Sequence, residues 1–533
     1  MVCTGWGGSC GEGAVCGTHC HSDLRKHRPR PVEDKKQRCD PVHLPATSWS
    51  SRVPRRGAPA TTPPPPLSTA GPHLSTGPPS SLGDRAVSST RALDREIARL
   101  AFPAFLALVA EPLFLLGDAA VVGHLGTPEL AGLGIAGTVV TTVVGLCIFL
   151  AYGTTAGVAR QIGAGHRDAA LAQGLDGLWL AVLIGLPATL VTALAADPLV
   201  AVFGASPDVV EPATTYLRVA ALGLTPLLLI LAGTGVLRGL QDTRTPLVVA
   251  VLGNVANLVL NIALVYGAGP VPHLGIAGSA LGSVLAQAGM ALALVLVVVR
   301  AARREGAQLR PDLPGVRAAA RAGVPLIVRT LTLRASLLVT TYAVVLTASA
   351  GSGSTAVPVA THQLAMTLWG FLAYVLDAIA IAAQAITGRF LGAGDVAGTR
   401  AVTGRMVGWG IVSGVVTGLL LAATSPWLGA LFTPDEGVRD ALVPVLLVAA
   451  LAQPVAGVVF VLDGVLIGAG DGRYLARAGV VVLAGYAPLV LLTSALGAGL
   501  PWLWGVFCVV FMGGRLVTLV RRSRGDAWLV AGA

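Results

Sequence analysis

Charged side chains are scarce in this sequence: Asp, Glu, Lys and Arg make up 12% of its 533 residues, against 54% hydrophobic residues. A soluble protein carries about 25% charged residues, so a large soluble fold is excluded. Lysine is nearly absent, with all three copies in the first 36 residues. The net charge of +10 comes mainly from arginines spread over short loops, which argues against a nucleic-acid partner.

Catalytic motifs are also lacking. The glycine turns at 163–165 and 392–394 are not followed by Lys and Ser or Thr, so they do not form phosphate-binding loops. Neither HExxH nor GxSxG occurs in the apolar body that begins near residue 98. We therefore expect neither an ATP-driven pump nor an enzyme, and no cofactor. A membrane-embedded enzyme is the alternative from a different class, but it needs clustered nucleophile, base or metal ligands at one membrane face.

The first ninety residues differ in composition from the rest. They are rich in Pro, Gly and Ser, as in "TTPPPPLSTAGPHLSTGPPSS", and cannot bury a core, so residues 1–92 are predicted to be disordered. They lack the apolar run of a secretory signal peptide. Five of the seven cysteines lie here, in spacings that match no common zinc pattern, so no metal site is expected. A misassigned start is another interpretation, with Val87 as a candidate initiator.

Apolar runs of about 20 residues, the length that crosses a bilayer, repeat along the remainder of the chain. The sequence therefore predicts an all-α integral membrane protein with twelve transmembrane helices, whose immediate partner is the lipid bilayer. The predicted ranges are 99–123, 132–159, 172–203, 213–239, 245–267, 275–301, 322–349, 359–389, 402–432, 439–468, 474–496 and 500–521.

The arginines test this count of spans. Loops after even-numbered spans carry fifteen arginines, whereas loops after odd-numbered spans carry only Arg439, with Arg218 ambiguous inside span 4. Arginine and lysine are enriched in cytoplasmic loops of membrane proteins. The alternation therefore predicts a multi-pass protein of the inner or plasma membrane of the cell, with both termini in the cytoplasm.

An internal repeat divides the chain into two halves. "RQIGAG" matches "RFLGAG", "LVAVFGASPD" matches "LGALFTPDEG", and "GVLRGLQD" matches "GVLIGAGD", always at an offset of 229 residues. We predict two six-helix lobes of equal orientation, an arrangement typical of alternating-access transporters. The predicted segments are an N-lobe at 93–305, a cytoplasmic linker at 306–321, a C-lobe at 322–522 and a cytoplasmic tail at 523–533.

Ionisable residues inside spans mark the candidate site of the N-lobe, because each costs at least about 2.5 kcal/mol in a bilayer. Glu111 and Asp118 are seven residues apart on span 1, and Asn254, Asn257 and Asn261 share one face of span 5. We predict that Asp118 and the three asparagines bind the coupling ion, with Na⁺ as one possibility at Asp118. The alternative for the asparagines is a purely structural role in joining helices.

The C-lobe has a polar set of its own. Asp377 and Gln384 lie seven residues apart on span 8, Asp463 lies on span 10 and Arg329 on span 7. Together with Glu111 these residues are predicted to line the substrate cavity. In the alternative interpretation, Asp377 or Asp463 only neutralises Arg329 in a structural ion pair.

The segments "EPLFLLGDAAVVGHLGTPELAGLGIAG", "GVLRGLQDTRTPL", "GNVANLVLN", "FLAYVLDAIAIAAQAITGRFLGAGD" and "FVLDGVLIGAGD" resemble the multidrug and toxic compound extrusion (MATE) family, in its DinF-like branch. The resemblance spans residues 95–525. It implies a V-shaped pair of helix bundles that exports organic, often cationic, compounds in exchange for H⁺ or Na⁺. Asp118 occupies the position of the family's helix-1 aspartate. On helix 5 the branch often has Asn followed four residues later by Asp, whereas this chain has Asn257 and Asn261.

The sequence is thus interpreted as a secondary-active antiporter for small organic substrates, acting as a monomer. A flippase for lipid-linked precursors is an alternative, but it would need an arginine-rich cavity, for which the sequence offers mainly Arg329 and Arg334. A major-facilitator transporter also has twelve spans, yet its charged signature between helices 2 and 3 is not visible in "ARQIGAGHRDAA".

Overall fold

Twelve membrane-spanning helices form the computed structural model, which describes residues 82–267, 272–350 and 355–532 and contains no strand in those ranges. The predicted number of spans is confirmed, and we number the spans α1–α12 in chain order. Their bounds are Arg91–Gly123, Thr127–Gly163, Arg167–Leu194, Pro207–Gly239, Arg244–Tyr266, Gly275–Arg304, Leu313–Ser349, Ala356–Gly392, Val396–Phe432, Glu436–Gly468, Gly472–Ala495 and Leu500–Arg524.

Helix ends differ from the predicted ends where local chemistry intervenes. The helix that contains span α1 is longer than the span and begins at Leu82. It therefore includes the last residues of the extension predicted to be disordered, whereas residues 1–81 lie outside the described ranges. α3 stops at Leu194 and a short helix, Ala196–Ala201, follows, because Pro198 cannot donate a backbone hydrogen bond. α7 begins at Leu313, inside the stretch predicted as linker.

Three spans are interrupted within the membrane. α2 breaks between Leu146 and Phe149, and α4 contains a 3₁₀ turn at Ala221–Gly223. α12 contains a π-helical stretch at Phe507–Met512. Such wide or tight turns rotate the residues that follow them, and they occur often at functional sites.

Small residues allow close approach between neighbouring helices. On α9, Gly410, Gly414 and Gly418 face the backbone of α10, and a Cβ atom at any of them would press against a carbonyl oxygen there. Glycine spaced by four residues is the usual device for packing helices tightly in a bilayer, where apolar burial gives little driving force.

The two lobes meet at one end of the bundle, which we call the basic end: the loops 164–166, 240–243, 305–312, 393–395 and 469–471. There Gly163 of α2 packs on the carbonyl of Arg389, and Gly392 of α8 packs on the carbonyl of Arg160. These four residues belong to the repeated segments "RQIGAG" and "RFLGAG", so the contact is symmetric. Further from the basic end, Glu111 of α1 is exposed.

Residues 525–532 fold back along the basic end. Trp528 is 1% exposed, and its indole N–H donates to the carbonyl of Ser523 at 3.1 Å. The N–H of Gly532 donates to the carbonyl of Leu391 at 3.0 Å, and the Arg160 guanidinium donates to the carbonyl of Val530. This segment therefore contacts α2 of the N-lobe and α8 of the C-lobe.

Candidate functional site

Asp118 lies in a buried polar pocket between α1, α5 and α6 and is only 3% exposed. Its carboxylate accepts hydrogen bonds from the amide of Asn261 and, at 3.1 Å, from the hydroxyl of Ser283. Asn257 donates to the same Ser283 hydroxyl at 2.9 Å. In the described part of the chain Asp118 has no basic partner, so its charge is held by neutral donors alone.

Small residues on α6 make this pocket possible. The segment "GSALGS" places Gly278 against the carbonyl of Leu264, and a Cβ atom at Gly282 would collide with the side-chain oxygen of Asn261. Any larger residue at these two positions would push α6 away from α5. The glycines therefore bring Ser283 within reach of Asp118.

Further polar groups surround the carboxylate. Tyr216 of α4 is 6% exposed and lies within electrostatic range of Asp118. Ser279, one turn before Ser283, is fully buried, and the hydroxyls of both serines lie beside the Tyr216 phenol. Neutral polar groups therefore line the pocket around Asp118.

Asn254 lies outside this network, although it shares a helix face with the other two asparagines. Its side chain donates to the backbone carbonyl of Ala110 on α1 at 2.8 Å. This is the helix-joining role that the sequence left as an alternative. Of the four residues predicted to bind the coupling ion, the structure thus joins Asp118, Asn257 and Asn261.

The donor set indicates which ions the pocket suits. Carboxylate, amide and hydroxyl oxygens are hard ligands, appropriate for H⁺ or a small cation such as Na⁺. Among the residues described here, no group of three His, Cys, Asp or Glu side chains converges on one point, so the donor set differs from that of a transition-metal centre.

Glu111 faces a different environment from Asp118. It is exposed, and it lies within electrostatic range of Tyr374 of α8. The two acids are seven residues apart on α1, with Pro112 between them, but only Asp118 is buried. The place of Glu111 in the substrate cavity stays a prediction.

A second charged cluster lies where the two lobes meet, and we call it the arginine cluster: Arg238 of the N-lobe with Arg329, Arg515, Asp377 and Asp463 of the C-lobe. Arg329 and Asp463 form a two-pronged ion pair, and Arg515 lies 3.5 Å from the same carboxylate. The neutralisation of Arg329 was predicted with two candidate acids, and Asp463 is the partner.

Residues of the N-lobe complete this cluster. Arg329 stacks over the ring of Tyr152 from α2, with 5.7 Å between the guanidinium carbon and the ring centroid. Asp377 of α8 forms no close ion pair with a described residue, but it lies within electrostatic range of Arg238 and Arg329. Six spans from both lobes thus converge here.

Gln384 is not part of the arginine cluster. It is 2% exposed, and its backbone packs against Gly468 of α10. The spacing of seven residues from Asp377 placed both side chains on one helix face, but Gln384 lies two turns nearer the basic end, where the lobes are in contact. Its predicted place in the substrate cavity is therefore unsupported by the geometry.

Ser283, Arg238 and Arg515 are among the participants that were not predicted as site residues. Ser283 belongs to a small-residue run that reads as simple helix packing. Arg238 was counted among the loop arginines, although its side chain turns inward from the end of α4. Arg515 follows "VFCVVFMGG", and a charged residue within such an apolar run was the available signal.

Two duplicated six-helix lobes, with charged groups buried within their membrane-spanning helices, define a polytopic membrane transporter. The MatE family model matches residues 103–263 and 332–491, at the spacing of the internal repeat. The chain belongs to the MatE family, and it is accordingly a twelve-span membrane transporter rather than an enzyme.

Curated relatives and a solved structure agree with this assignment. Protein DETOXIFICATION 44, chloroplastic, of Arabidopsis thaliana is 31% identical over 437 residues, covering 79% of this chain and 80% of its own. DNA damage-inducible protein F of Escherichia coli is 28% identical over 441 residues, covering 82% and 94%. The fold resembles the Vibrio cholerae MATE transporter VcmN in the bent form, with a TM-score of 0.73, 20% identity and coverage of 83% and 99%.

Proposed function

We propose that this protein is a secondary-active antiporter that exports small organic compounds in exchange for inward H⁺ or Na⁺. The observation that carries the proposal is Asp118, a buried carboxylate held only by neutral donors in the described part of the chain. An acid with a permanent arginine partner would stay charged throughout a transport cycle. An acid without one gains or loses a cation at modest cost, which is what coupling demands.

Neutralisation of Asp118 provides the conformational signal. A proton or Na⁺ on the carboxylate changes the hydrogen bonds from Asn261 and Ser283, and with them the contact of α1 against α5 and α6. Pro112 lies six residues earlier on α1 and cannot donate to the carbonyl of Leu108, so the helix is weakest there. We propose that α1 bends at this point, shrinks the N-lobe pocket and releases substrate outward by alternating access of the two lobes.

We also propose an orientation for the protein in the plasma membrane. The arginine-rich loops of the basic end face the cytoplasm, as do both termini, and the protein lies in the plasma membrane. Each chain has both lobes and its own cavity, so a monomer suffices for transport.

A flippase for lipid-linked precursors is the second candidate, and one observation favours it. The sequence suggested two arginines in the cavity, whereas the structure adds Arg238 and Arg515 beside Arg329. An arginine-rich cavity suits a lipid phosphate, so this candidate is tested by the lipid probe introduced below.

Gradient-driven export tests the antiporter. Everted membrane vesicles carrying Asp118→Asn would be compared with wild type under separately imposed pH and Na⁺ gradients, with a panel of fluorescent dyes. We expect Asp118→Asn to abolish the gradient-dependent part of export, because a neutral amide has no negative charge for H⁺ or Na⁺ to neutralise. The wild type also reveals the coupling ion, since only one of the two gradients should drive it.

Asp440→Asn is the matched control. Asp440 is exposed near the start of α10, and it forms no ion pair with a described residue. It should export dye like wild type. Full gradient-driven export by Asp118→Asn would overturn the assignment of the coupling site.

A further inference from the structure

The arginine cluster carries more positive than negative charge. Arg238, Arg329 and Arg515 contribute three guanidinium groups, and Asp377 and Asp463 contribute two carboxylates. Within the described ranges no other acid is near enough to pair with them. A fourth guanidinium, that of Arg334, lies against Gly145 of α2 and also lacks an acidic partner among the described residues.

The excess positive charge of this buried cluster needs compensation. Burial of an unpaired guanidinium in a membrane protein costs several kcal/mol, unless water or a counterion reaches it. The side chains of Arg329 and Arg515 are each 12% exposed, and that of Asp463 is 8% exposed. The cluster is thus largely enclosed between the lobes, with a small exposed fraction at its arginine side chains.

The geometry also suits an anionic group specifically. Asp463 already accepts from Arg329 through two nitrogens, while Arg515 reaches the same carboxylate with one nitrogen at 3.5 Å, longer than a good hydrogen bond. Arg515 therefore retains most of its five donors. The planar fork of a guanidinium matches carboxylate and phosphate oxygens.

The elements that supply the cluster link it to transport. Tyr152 and Arg238 come from the N-lobe, and the other residues come from the C-lobe. A ligand held here would contact both lobes. Its binding would therefore shift the equilibrium between the open and closed arrangements of the lobe interface. The π-helical stretch at Phe507–Met512 immediately precedes Arg515 and directs α12 at this point.

We propose that the arginine cluster is a substrate-binding site for an anionic group, a carboxylate or phosphate, of the exported compound. This inference rests on the proposed function in naming the substrate class. Glu111, an exposed acid on α1 that shares electrostatic range of Tyr374 with Asp377, would accept a positively charged part of the same molecule. The substrates are then organic anions or zwitterions, rather than the simple cations that the family resemblance implies.

Equilibrium binding to the full-length protein in detergent tests the site, with two xanthene dyes of similar size and opposite charge. The probes are carboxyfluorescein, an anion, and rhodamine 123, a cation, and fluorescence polarisation reports binding. We expect wild type to prefer carboxyfluorescein. Arg515→Gln removes the excess charge and leaves the Arg329–Asp463 pair intact, so it should weaken carboxyfluorescein binding about tenfold, the effect of losing one charged hydrogen bond.

Two further variants guard against misfolding and nonspecific charge effects. Arg521→Gln, an exposed arginine further along the same helix, should bind carboxyfluorescein within about twofold of wild type. Asp463→Asn frees two guanidinium groups and should strengthen carboxyfluorescein binding several-fold, an outcome that a damaged fold does not give. Equal affinity of Arg515→Gln and wild type, or weaker binding by Asp463→Asn, overturns the proposal.

A third probe distinguishes the source of the anion. Fluorescent phosphatidylglycerol that displaces carboxyfluorescein, with the same dependence on Arg515, assigns the site to a lipid phosphate. Failure of the lipid to compete assigns it to a water-soluble anion. Binding in detergent needs no gradient, so it is measured separately from gradient-driven export, and Asp440→Asn, at an exposed acid outside both sites, should bind carboxyfluorescein like wild type. The site and the coupling mechanism therefore succeed or fail independently.

Discussion

Gly163 at the end of α2 packs directly on the backbone carbonyl of Arg389 at the end of α8, and no space remains for a side chain. Gly392 and Arg160 make the same contact in the opposite direction. These two contacts hold the lobes together at the basic end. Loosening them should therefore make it easier for the lobes to separate there.

Gly163→Ala should therefore separate the lobes at the basic end. The added methyl group meets a backbone atom that cannot rotate away, a case of overpacking that costs about 1–3 kcal/mol. A lower midpoint of thermal unfolding in detergent would show this cost. Gly153→Ala is the control, since Gly153 lies on the same helix with open space around its Cβ position. Equal midpoints for the two variants would contradict the predicted contact.

The asparagines of α5 should separate into two classes. Asn254→Ala removes a bond to the backbone of α1 and should lower stability by about 1 kcal/mol while leaving the coupling-ion affinity unchanged. Asn261→Ala removes the donor to Asp118 and should change the concentration of H⁺ or Na⁺ that gives half-maximal export. Identical effects of the two substitutions would contradict the assignment of Asn261 to the Asp118 pocket and of Asn254 to helix packing.

Ser283→Ala should weaken the cation site without unfolding the helix. Its hydroxyl donates to Asp118 and accepts from Asn257, so its loss leaves two polar groups poorly satisfied. We expect a shift of up to about tenfold in the half-maximal cation concentration. Ser349→Ala serves as the reference and should give a wild-type value, because the Ser349 hydroxyl is exposed and, among the described residues, donates to the carbonyl of Val345 in its own helix.

Trp528→Ala should release the segment that folds back on the basic end. The indole is almost completely buried, and deleting a buried aromatic side chain costs about 3 kcal/mol or more. Limited proteolysis after Arg524 should then become faster. Val530→Ala, at a side chain that is 61% exposed, is expected to leave the cleavage rate unchanged. Protection of the tail in Trp528→Ala would show that its backbone bonds suffice.

Much of the fold followed from the sequence because a bilayer imposes simple rules. Length and apolarity determine a span, and arginines in alternate loops verify the count. Asp118 was identifiable for the same reason, since a carboxylate in an apolar run is costly. The breaks in α2 and α12 were not foreseen, because neither contains a proline at the break.

Side-chain partners were less predictable. Helical spacing put Asn254, Asn257 and Asn261 on one face, but their depth and the bend of each helix decide which of them reaches Asp118. Arg238 shows the opposite error, because its position at a helix end suggested a loop residue while its long side chain extends inward. Only the assembled bundle shows which long side chains converge.

The repeat itself has diverged at the site, since the position 229 residues after Asn257 holds Tyr486 and the position after Asp118 holds Thr347. The carboxylate proposed to bind the coupling cation thus belongs to one lobe, and most guanidinium groups of the arginine cluster belong to the other. The proposed cycle, with a cation moving inward and an anion moving outward, would move both charges in the same electrical sense. Membrane voltage would then assist each turnover by about 2.3 kcal/mol per charge per 100 mV, so even a cell with no ion gradient across its envelope could drive export electrically.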